Sequence, residues 1–480
     1  MQTSRRLPLS QNGALQMHDT QSPPVISLEL LQRFDVTGPR YTSYPTADRF
    51  VEAFNAQTYS GWLRKRVLAG HPRQLSLYVH LPFCGTICYY CACNKVITKD
   101  HGRSARYVRY VRKEIDLLGE ALDGARNVVQ MHWGGGTPNF LHADEMTDLA
   151  HAVSRTFRLD NKGEYSIEVD PRSMQADTIP LLASLGFNRV SVGVQDFDPI
   201  VQRAVNRIQT EEQTCGTIEA ARAAGFKSIN IDLIYGLPKQ NVIGFNTTLE
   251  KVILASPERV ALYNYAHLPG VFKPQRRIAQ TDLPTPEVKL QLLSLAIRRL
   301  NEAGYKYVGM DHFAKPDDDL SVAQRQGRLH RNFQGYSTHA DCDLLGIGVS
   351  SIGQVGPTYS QNVKTLDEYY DRLDEGVLPV MRGVELTADD LVRRALIQCL
   401  MCHFEVPIES IEIAHLIDFK KYFAREIEDL WPFRQAGLIQ FDDQWMTVTA
   451  LGRYFIRNIC MVFDRYLREG RDRARYSSVV

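Results

Sequence analysis

Six short apolar runs, rich in β-branched and aromatic residues, recur from about residue 73 and alternate with helix-like stretches. No other feature restricts the fold as much. The runs are LSLYVHL (75–81), VVQMHW (128–133), YSIEVD (165–170), RVSVGVQ (189–195), SINIDLIYG (228–236) and RVALYNYAHL (259–268). Between them, ARYVRYVRKEIDLLGEAL (105–122) carries Val108, Val111, Ile115 and Leu118 at helical spacing, and EEQTCGTIEAARAAG (211–225) ends on a glycine suited to a helix stop. Near-continuous apolar strands alternating with amphipathic helices predict βα units on a parallel sheet. Helix-rich sequence with further short runs is expected to about 380. The segment 386–480 differs: two helical stretches precede GLIQFDDQWMTVTALGRYFIRNI, where Asp442-Asp443 separates two β-like runs as in a hairpin. The expected division is an N-terminal arm (1–55), an α/β barrel domain (56–385) and a mainly helical domain with a small hairpin, winged-helix-like, at 386–480.

Lys and Arg number 56 against 55 Asp and Glu, a net charge of +1, so bulk attraction to nucleic acid is not expected. No run approaches the roughly 18–20 apolar residues that span a bilayer. The first twenty residues lack the apolar stretch of a secretory signal. A cytoplasmic protein is expected.

Of nine cysteines, Cys84, Cys88, Cys91 and Cys93 fall within ten residues, directly after the first run. In a reducing compartment, such clustering points to metal or redox chemistry. A structural zinc site would need two separated ligand pairs, and only one cysteine group is clustered. Three thiolates on a cluster of four irons would leave one iron open to a small molecule. Cys93 reads either as a fourth ligand or as a bystander, and the bystander reading keeps that corner open. His132-Trp-Gly-Gly-Gly-Thr-Pro138 follows the second run, and its glycines would let the backbone approach a ligand with N–H and C=O groups exposed. Glu168, Gln195, Asp232 and Ala266 fall at or near strand C-termini, the rim that carries the site in barrel folds. Glu168 and Asp232 could equally be satisfied structural carboxylates. Arg207 alone reads as a surface charge. Gly346-Ile-Gly348…Gly353 departs from the dinucleotide spacing, so nicotinamide binding is rejected there. Arg331-Asn-Phe-Gln-Gly-Tyr336 reads as a loop.

The C-x3-C-x2-C spacing resembles the radical S-adenosylmethionine (SAM) superfamily. With RYTSYPT (40–46), HWGGGTP (132–138), SIEVDPR (166–172), SVGVQDFD (191–198), NIDLIYGLP (230–238), RNFQGYST (331–338) and GVSSIG (348–353), the chain is similar to the oxygen-independent coproporphyrinogen III oxidase family. That resemblance implies an incomplete parallel (β/α)6-type barrel, and oxidative decarboxylation of two propionates of coproporphyrinogen III to protoporphyrinogen IX in haem biosynthesis. The reaction runs through a 5′-deoxyadenosyl radical from SAM cleaved at a 4Fe-4S cluster. It implies Cys84, Cys88 and Cys91 as cluster ligands, with Tyr78, Gly135, Glu168 and Ile352 on the SAM at the cluster. A second SAM would meet Tyr90, Gly136, Thr137, Gln195, Arg207, Asp232 and Ala266, which turns Arg207 from surface charge into ligand contact. Tyr90 stands where the family often has Phe. Phe333 and Gln334 match a segment near the family's active site. A monomer served by a low-potential electron donor such as flavodoxin or ferredoxin is implied. Propionates call for basic partners, and Arg40 and Arg331 are candidates. The rival reading is a haem-trafficking relative without oxidase activity. Such relatives typically lack the Cys-x-Cys extension and the RYTSYPT arm.

Overall fold

The computed structural model describes residues 26–34, 36–68, 73–122, 124, 126–340 and 342–470. The first 25 residues of the expected arm and the last ten of the C-terminal domain lie outside them.

All six expected strands form: β1 (Leu75–Leu81), β2 (Asn127–Gly135), β3 (Arg158–Val169), β4 (Arg189–Gln195), β5 (Ser228–Tyr235) and β6 (Arg259–Asn264). They lie side by side in chain order, each parallel to the next. A further strand, β7 (Asp343–Ile347), adds parallel to the free edge of β1. Antiparallel strands extend both ends, with 352–355, 358–362 and 380–385 beyond β7 and 312–314 and 306–309 beyond β6, giving twelve strands in open order. The architecture is an incomplete parallel barrel. Residues 306–385, expected to be helix-rich, are mostly short strands, because runs such as TYSQN pair with neighbours distant in sequence.

The strands are less uniformly apolar than expected. Ile229, Ile231 and Leu233 of β5 are buried, while Asn230 and Asp232 face the lumen half-buried. The period of two places apolar side chains under the helices and polar ones inside. Helix 101–121 begins four residues before its apolar pattern, because Asp100 caps it by accepting from Gly102 N at 2.8 Å. Helix 211–223 starts on a Thr210/Gln213 capping box and stops before Gly225, whose φ of +81° is left-handed.

Residues 330–337, read as a loop, form a hairpin of 330–332 and 335–337. It reaches the barrel wall: Gln334 Nε2 donates to Leu77 O (3.4 Å) and Ser337 Oγ to Gln130 Oε1 (3.1 Å). The glycines rejected as a dinucleotide loop serve packing. A Cβ on Gly348 (φ +95°) would lie 2.5 Å from the Tyr107 hydroxyl.

The C-terminal region has the expected helices and hairpin (439–441 with 445–448), turned by Asp442, which accepts from Gln444 N and Trp445 N. A third strand, 405–407, pairs with it. Its core is continuous with Tyr41 and Tyr44 of the arm. Arg457 donates to Pro39 O (3.0 Å), Asn458 to Phe34 O (2.6 Å) and the Tyr41 hydroxyl to Asp464 (3.0 Å), tying residues 34–41 to helix 456–462 and the cap of helix 465–469. Among the described residues no helix is long and apolar enough to cross a membrane.

Candidate active site at the barrel mouth

The cysteine loop leaves the C-terminal end of β1 and folds over the strand ends. Its backbone is fixed by Thr98 N to Cys84 O (3.0 Å), Tyr89 N to Val205 O (2.9 Å) and Asn206 Nδ2 to Ile87 O (2.7 Å). Cys84, Cys88, Tyr90, Cys91 and Cys93 line one cavity with Gly135, Gly136, Thr137, Glu168, Gln195, Arg207 and Asp232. Eleven residues singled out as cluster or SAM contacts therefore converge, from β2, β3, β4, β5 and the loops above them.

The three sulfurs sit among donors. Thr137 Oγ1 lies 3.4 Å from Cys84 Sγ, Arg172 Nη2 3.5 Å and Arg207 Nη1 3.8 Å from Cys88 Sγ. A hydrogen bond from Cys93, helped by the Lys95 ammonium, holds the Cys91 thiol down at about 6 against burial. Burial pushes Cys84 up to about 11. Thiolates on iron want such donors and nearby positive charge. Among the described residues no His, Cys, Asp and Glu side chains converge tightly enough for a single ion. The three sulfurs ring a cavity instead, which suits a cluster several atoms across. The site fits the iron–sulfur group.

Glu168 accepts from Gly135 N at 3.1 Å and faces His132 Nε2 at 3.3 Å. Burial disfavours its charged form, but the His132 contact and the Gly135 N–H outweigh that and hold it below the usual carboxylate range. Asp232 accepts from Ser191 Oγ and Asn230 Nδ2, each at 2.8 Å, yet burial and the Glu168 charge push it up to about 6. Gln195 has φ +71°, a strained conformation for a non-glycine residue, at the end of β4.

Arg207 is 6% exposed, so the isolated reading of it as a surface charge is wrong. The strand ends enclose it: Nη2 donates to Gly193 O (2.6 Å) and Nη1 to Asp170 (3.1 Å), while Nε is buried without a hydrogen-bond partner among the described residues. The glycine run also behaves differently from expectation. Gly135 N and Gly136 N are not open to a ligand, since one donates to Glu168 and the other to Leu81 O (2.9 Å). A Cβ on Gly136 would lie 2.6 Å from the Pro82 carbonyl, so this glycine is required by the approach of β2 to the cysteine loop.

Three named residues lie just outside the cavity lining. Tyr78 stacks on His132 at 6.0 Å between ring centroids and bonds His80 Nδ1 at 3.1 Å. Ile352 packs its backbone against Gly346, the register partner of Tyr78. Ala266 lies past the end of β6, and Gln275 Nε2 bridges its carbonyl (3.1 Å) to that of Tyr90 (3.0 Å). Gln275 escaped the sequence reading, as did Asp170. Asp170 grips Arg172 through Nε (3.0 Å) and Nη2 (2.6 Å), as well as Arg207, and burial is outweighed by those two guanidinium groups. An acid and a base flanking a proline after the third run, in SIEVDPR, were the available signal.

The Radical SAM superfamily model matches residues 78–252, and the HemN C-terminal domain model matches 386–455. The chain is 51% identical over 454 residues to the oxygen-independent coproporphyrinogen III oxidase of Pseudomonas aeruginosa, covering 94% of this chain and 98% of the relative. The Escherichia coli protein of the same name is 46% identical with the same coverage. The solved structure described as "Coproporphyrinogen III oxidase (HemN) from Escherichia coli is a Radical SAM enzyme" superposes with a TM-score of 0.88 at 45% identity, over 93% of this chain and all of that one. The sulfur-lined barrel mouth and the full-length likeness agree: this chain belongs to the oxygen-independent coproporphyrinogen III oxidase family of radical SAM enzymes.

Proposed function

We propose that this chain oxidatively decarboxylates two propionate side chains of coproporphyrinogen III to vinyl groups at the mouth of the barrel. The observation that carries this reading is the single cavity shared by three cysteine sulfurs, Glu168, Gln195, Arg207 and Asp232. Cys84, Cys88 and Cys91 would hold the 4Fe-4S cluster, and Cys93 would tune Cys91 through its hydrogen bond. The cluster together with SAM would supply one-electron chemistry able to take hydrogen from an unactivated C–H bond.

The chain's own part is binding, orientation and exclusion of water. Glu168, anionic and oriented by His132 and Gly135 N, is placed to accept from the ammonium of a methionine moiety, with Tyr78 and Ile352 supporting that wall. Arg207 offers its unpartnered Nε to an acceptor. Tyr90, Gly136, Thr137, Gln195, Asp232 and Ala266 complete a wall suited to a second SAM beside the first.

Of the two cations considered for propionates, Arg40 is ion-paired with Asp311 at 2.7 Å. Arg331 is 4% exposed, 4.8 Å over the Tyr336 ring, and its Nε and Nη1 have no hydrogen-bond partner among the described residues. A buried guanidinium without a carboxylate is costly, so a substrate carboxylate has more to offer Arg331. Phe333 and Gln334, at the tip of the same hairpin, would face the substrate. The electron donor would be a low-potential carrier, and the working unit a single chain.

Anaerobic incubation with coproporphyrinogen III, SAM and a low-potential reductant tests the reading. Vinyl porphyrinogen and 5′-deoxyadenosine are expected, whereas haem binding without turnover would favour a trafficking role. Cys88→Ser should lose both iron and activity, and a brown, active variant would refute the cysteine assignment.

A further inference from the structure

A second cavity inside the barrel continues from the cysteine-lined one, since Glu168, Ser191 and Asp232 line both. Its volume is about 150 Å³, a space that admits one aromatic ring and not a macrocycle. His312, Tyr263, Gln334 and Tyr336 form another part of its wall. No step described so far uses His312.

His312 opens strand 312–314, which pairs with β6 at Ala261. The two residues before it, Met310 (φ +22°) and Asp311 (φ +69°), are both left-handed, a conformation that costs free energy away from glycine. His312 Nδ1 lies 2.7 Å from the carbonyl oxygen of Met310. A carbonyl only accepts, so Nδ1 carries the hydrogen. Burial and the Arg331 guanidinium hold the ring down at about 4, so it is neutral at physiological pH. Nε2 is then a bare acceptor, and it makes no hydrogen bond among the described residues. The ring meets Tyr263 (centroids 6.0 Å apart, 90°) and Tyr336 (5.4 Å, 84°) almost at right angles, which fixes its plane. Neighbouring donors are turned to other partners. The Tyr336 hydroxyl donates to Met401 O (2.8 Å), and Asn230 Nδ2 donates to Ser191 Oγ and Asp232 (2.8 Å each). A Cβ on Gly335 would lie 3.9 Å from Nε2, so that nitrogen sits beside the hairpin tip that carries Phe333 and Gln334.

A fixed acceptor in a ring-sized cavity suits an aromatic ring that bears an N–H. Every pyrrole of a porphyrinogen bears one, and the saturated bridges let a single pyrrole tilt out of the plane of the others. An oxidised porphyrin is flat, and half of its inner nitrogens are acceptors that would meet Nε2 lone pair to lone pair. We propose that His312 Nε2 accepts the N–H of one substrate pyrrole in this cavity and so selects the reduced macrocycle over the oxidised one. The inference deepens the proposed function and rests on it, since it takes coproporphyrinogen III as the ligand. His312 makes and breaks no covalent bond; its part is recognition.

The test uses the full-length enzyme with its cluster reconstituted, kept anaerobic, as wild type, His312→Phe and His312→Gln. Dissociation constants are titrated for coproporphyrinogen III, for coproporphyrin III and for SAM, alongside kcat and KM. Iron content confirms loading. Wild type should bind the porphyrinogen about tenfold more tightly than the porphyrin. His312→Phe keeps a flat ring and loses the acceptor. It should weaken porphyrinogen binding about tenfold and raise KM in step, with the porphyrin and SAM constants within about twofold of wild type. His312→Gln offers both an acceptor and a donor, so it should recover part of the porphyrinogen affinity and narrow the preference. Equal wild-type affinity for the two macrocycles would overturn the proposal. So would an equal loss of both in His312→Phe, the mark of a packing role. If wild type showed the preference but formed no vinyl product, the proposed function would fall while the pyrrole contact stood.

Discussion

Two carboxylates on opposite sides of the barrel wall show how the same chemical group is put to different use. Glu114 lies outside the wall, on the buried face of helix 101–121. It is 1% exposed and accepts from Gly348 N (2.7 Å), Asn362 Nδ2 (2.7 Å) and the Tyr369 hydroxyl (2.6 Å). Glu168 lies inside the mouth, with its side chain 43% exposed and two longer contacts at 3.1 and 3.3 Å. All three of Glu114's hydrogen bonds are short, come from neutral groups and join helix, strand and loop. Burial still pushes it up to about 7. Glu168 faces the His132 ring and the Gly135 N–H and is held down. The first carboxylate joins pieces of the fold, and the second keeps lone pairs open for a ligand.

The largest effect is expected at the sealed site. Glu114→Ala removes the acceptor shared by three buried donors and should destabilise the protein by about 3–5 kcal/mol in chemical denaturation. A loss below about 1 kcal/mol would break the comparison. Glu168→Gln keeps the size but not the charge. It should reduce kcat/KM for SAM by about a hundredfold, or about 3 kcal/mol, with stability changed by under about 1 kcal/mol and iron content retained. Unchanged SAM kinetics would remove Glu168 from the site.

The pH dependence sharpens the contrast. The folded pKa of Glu114 is raised, so folding is favoured by its protonated form. Its contribution is full below the unfolded value near 4.5 and is lost as pH rises through about 7. Glu114→Gln should flatten the stability profile over that window, and a profile with the same slope as wild type would contradict this. The smallest effect concerns the hairpin. Arg331→Gln should raise KM for coproporphyrinogen III about tenfold while leaving stability unchanged or slightly higher, because a buried unpaired charge is removed. Arg40→Gln should instead lower stability by about 1–3 kcal/mol through the loss of its partner at Asp311. The reverse pattern would exchange their roles.

The six barrel strands and the cysteine loop were legible because each is a local pattern: apolar runs of limited length, and thiols at close spacing. Glycine at 225 marked its helix end for the same reason. Glu114 was not legible. In KEIDLL it resembles any charged residue of an amphipathic helix, and its three donors come from positions more than 230 residues away. The hairpin at 330–337 was missed because three-residue strands carry almost no periodic signal and are stabilised by the wall they lean on. Arg207 was misread in isolation, because its burial depends on Asp170 and Gly193 converging from two other strand ends. The third strand at 405–407 was hidden for a similar reason: Glu405, Val406 and Pro407 become a strand only by pairing with 445–447.

The clamp between residues 34–41 and 457–464 has a bearing on synthesis. A ribosome-bound chain halted at residue 440 would contain strands β1–β6 and the sulfur-bearing loop, but neither Arg457, Asn458 nor Asp464 to fasten residues 34–41. Residues 34–41 are locked down by residues made more than 400 positions later, and until those emerge this stretch has only earlier partners such as Asp311, which pairs with Arg40.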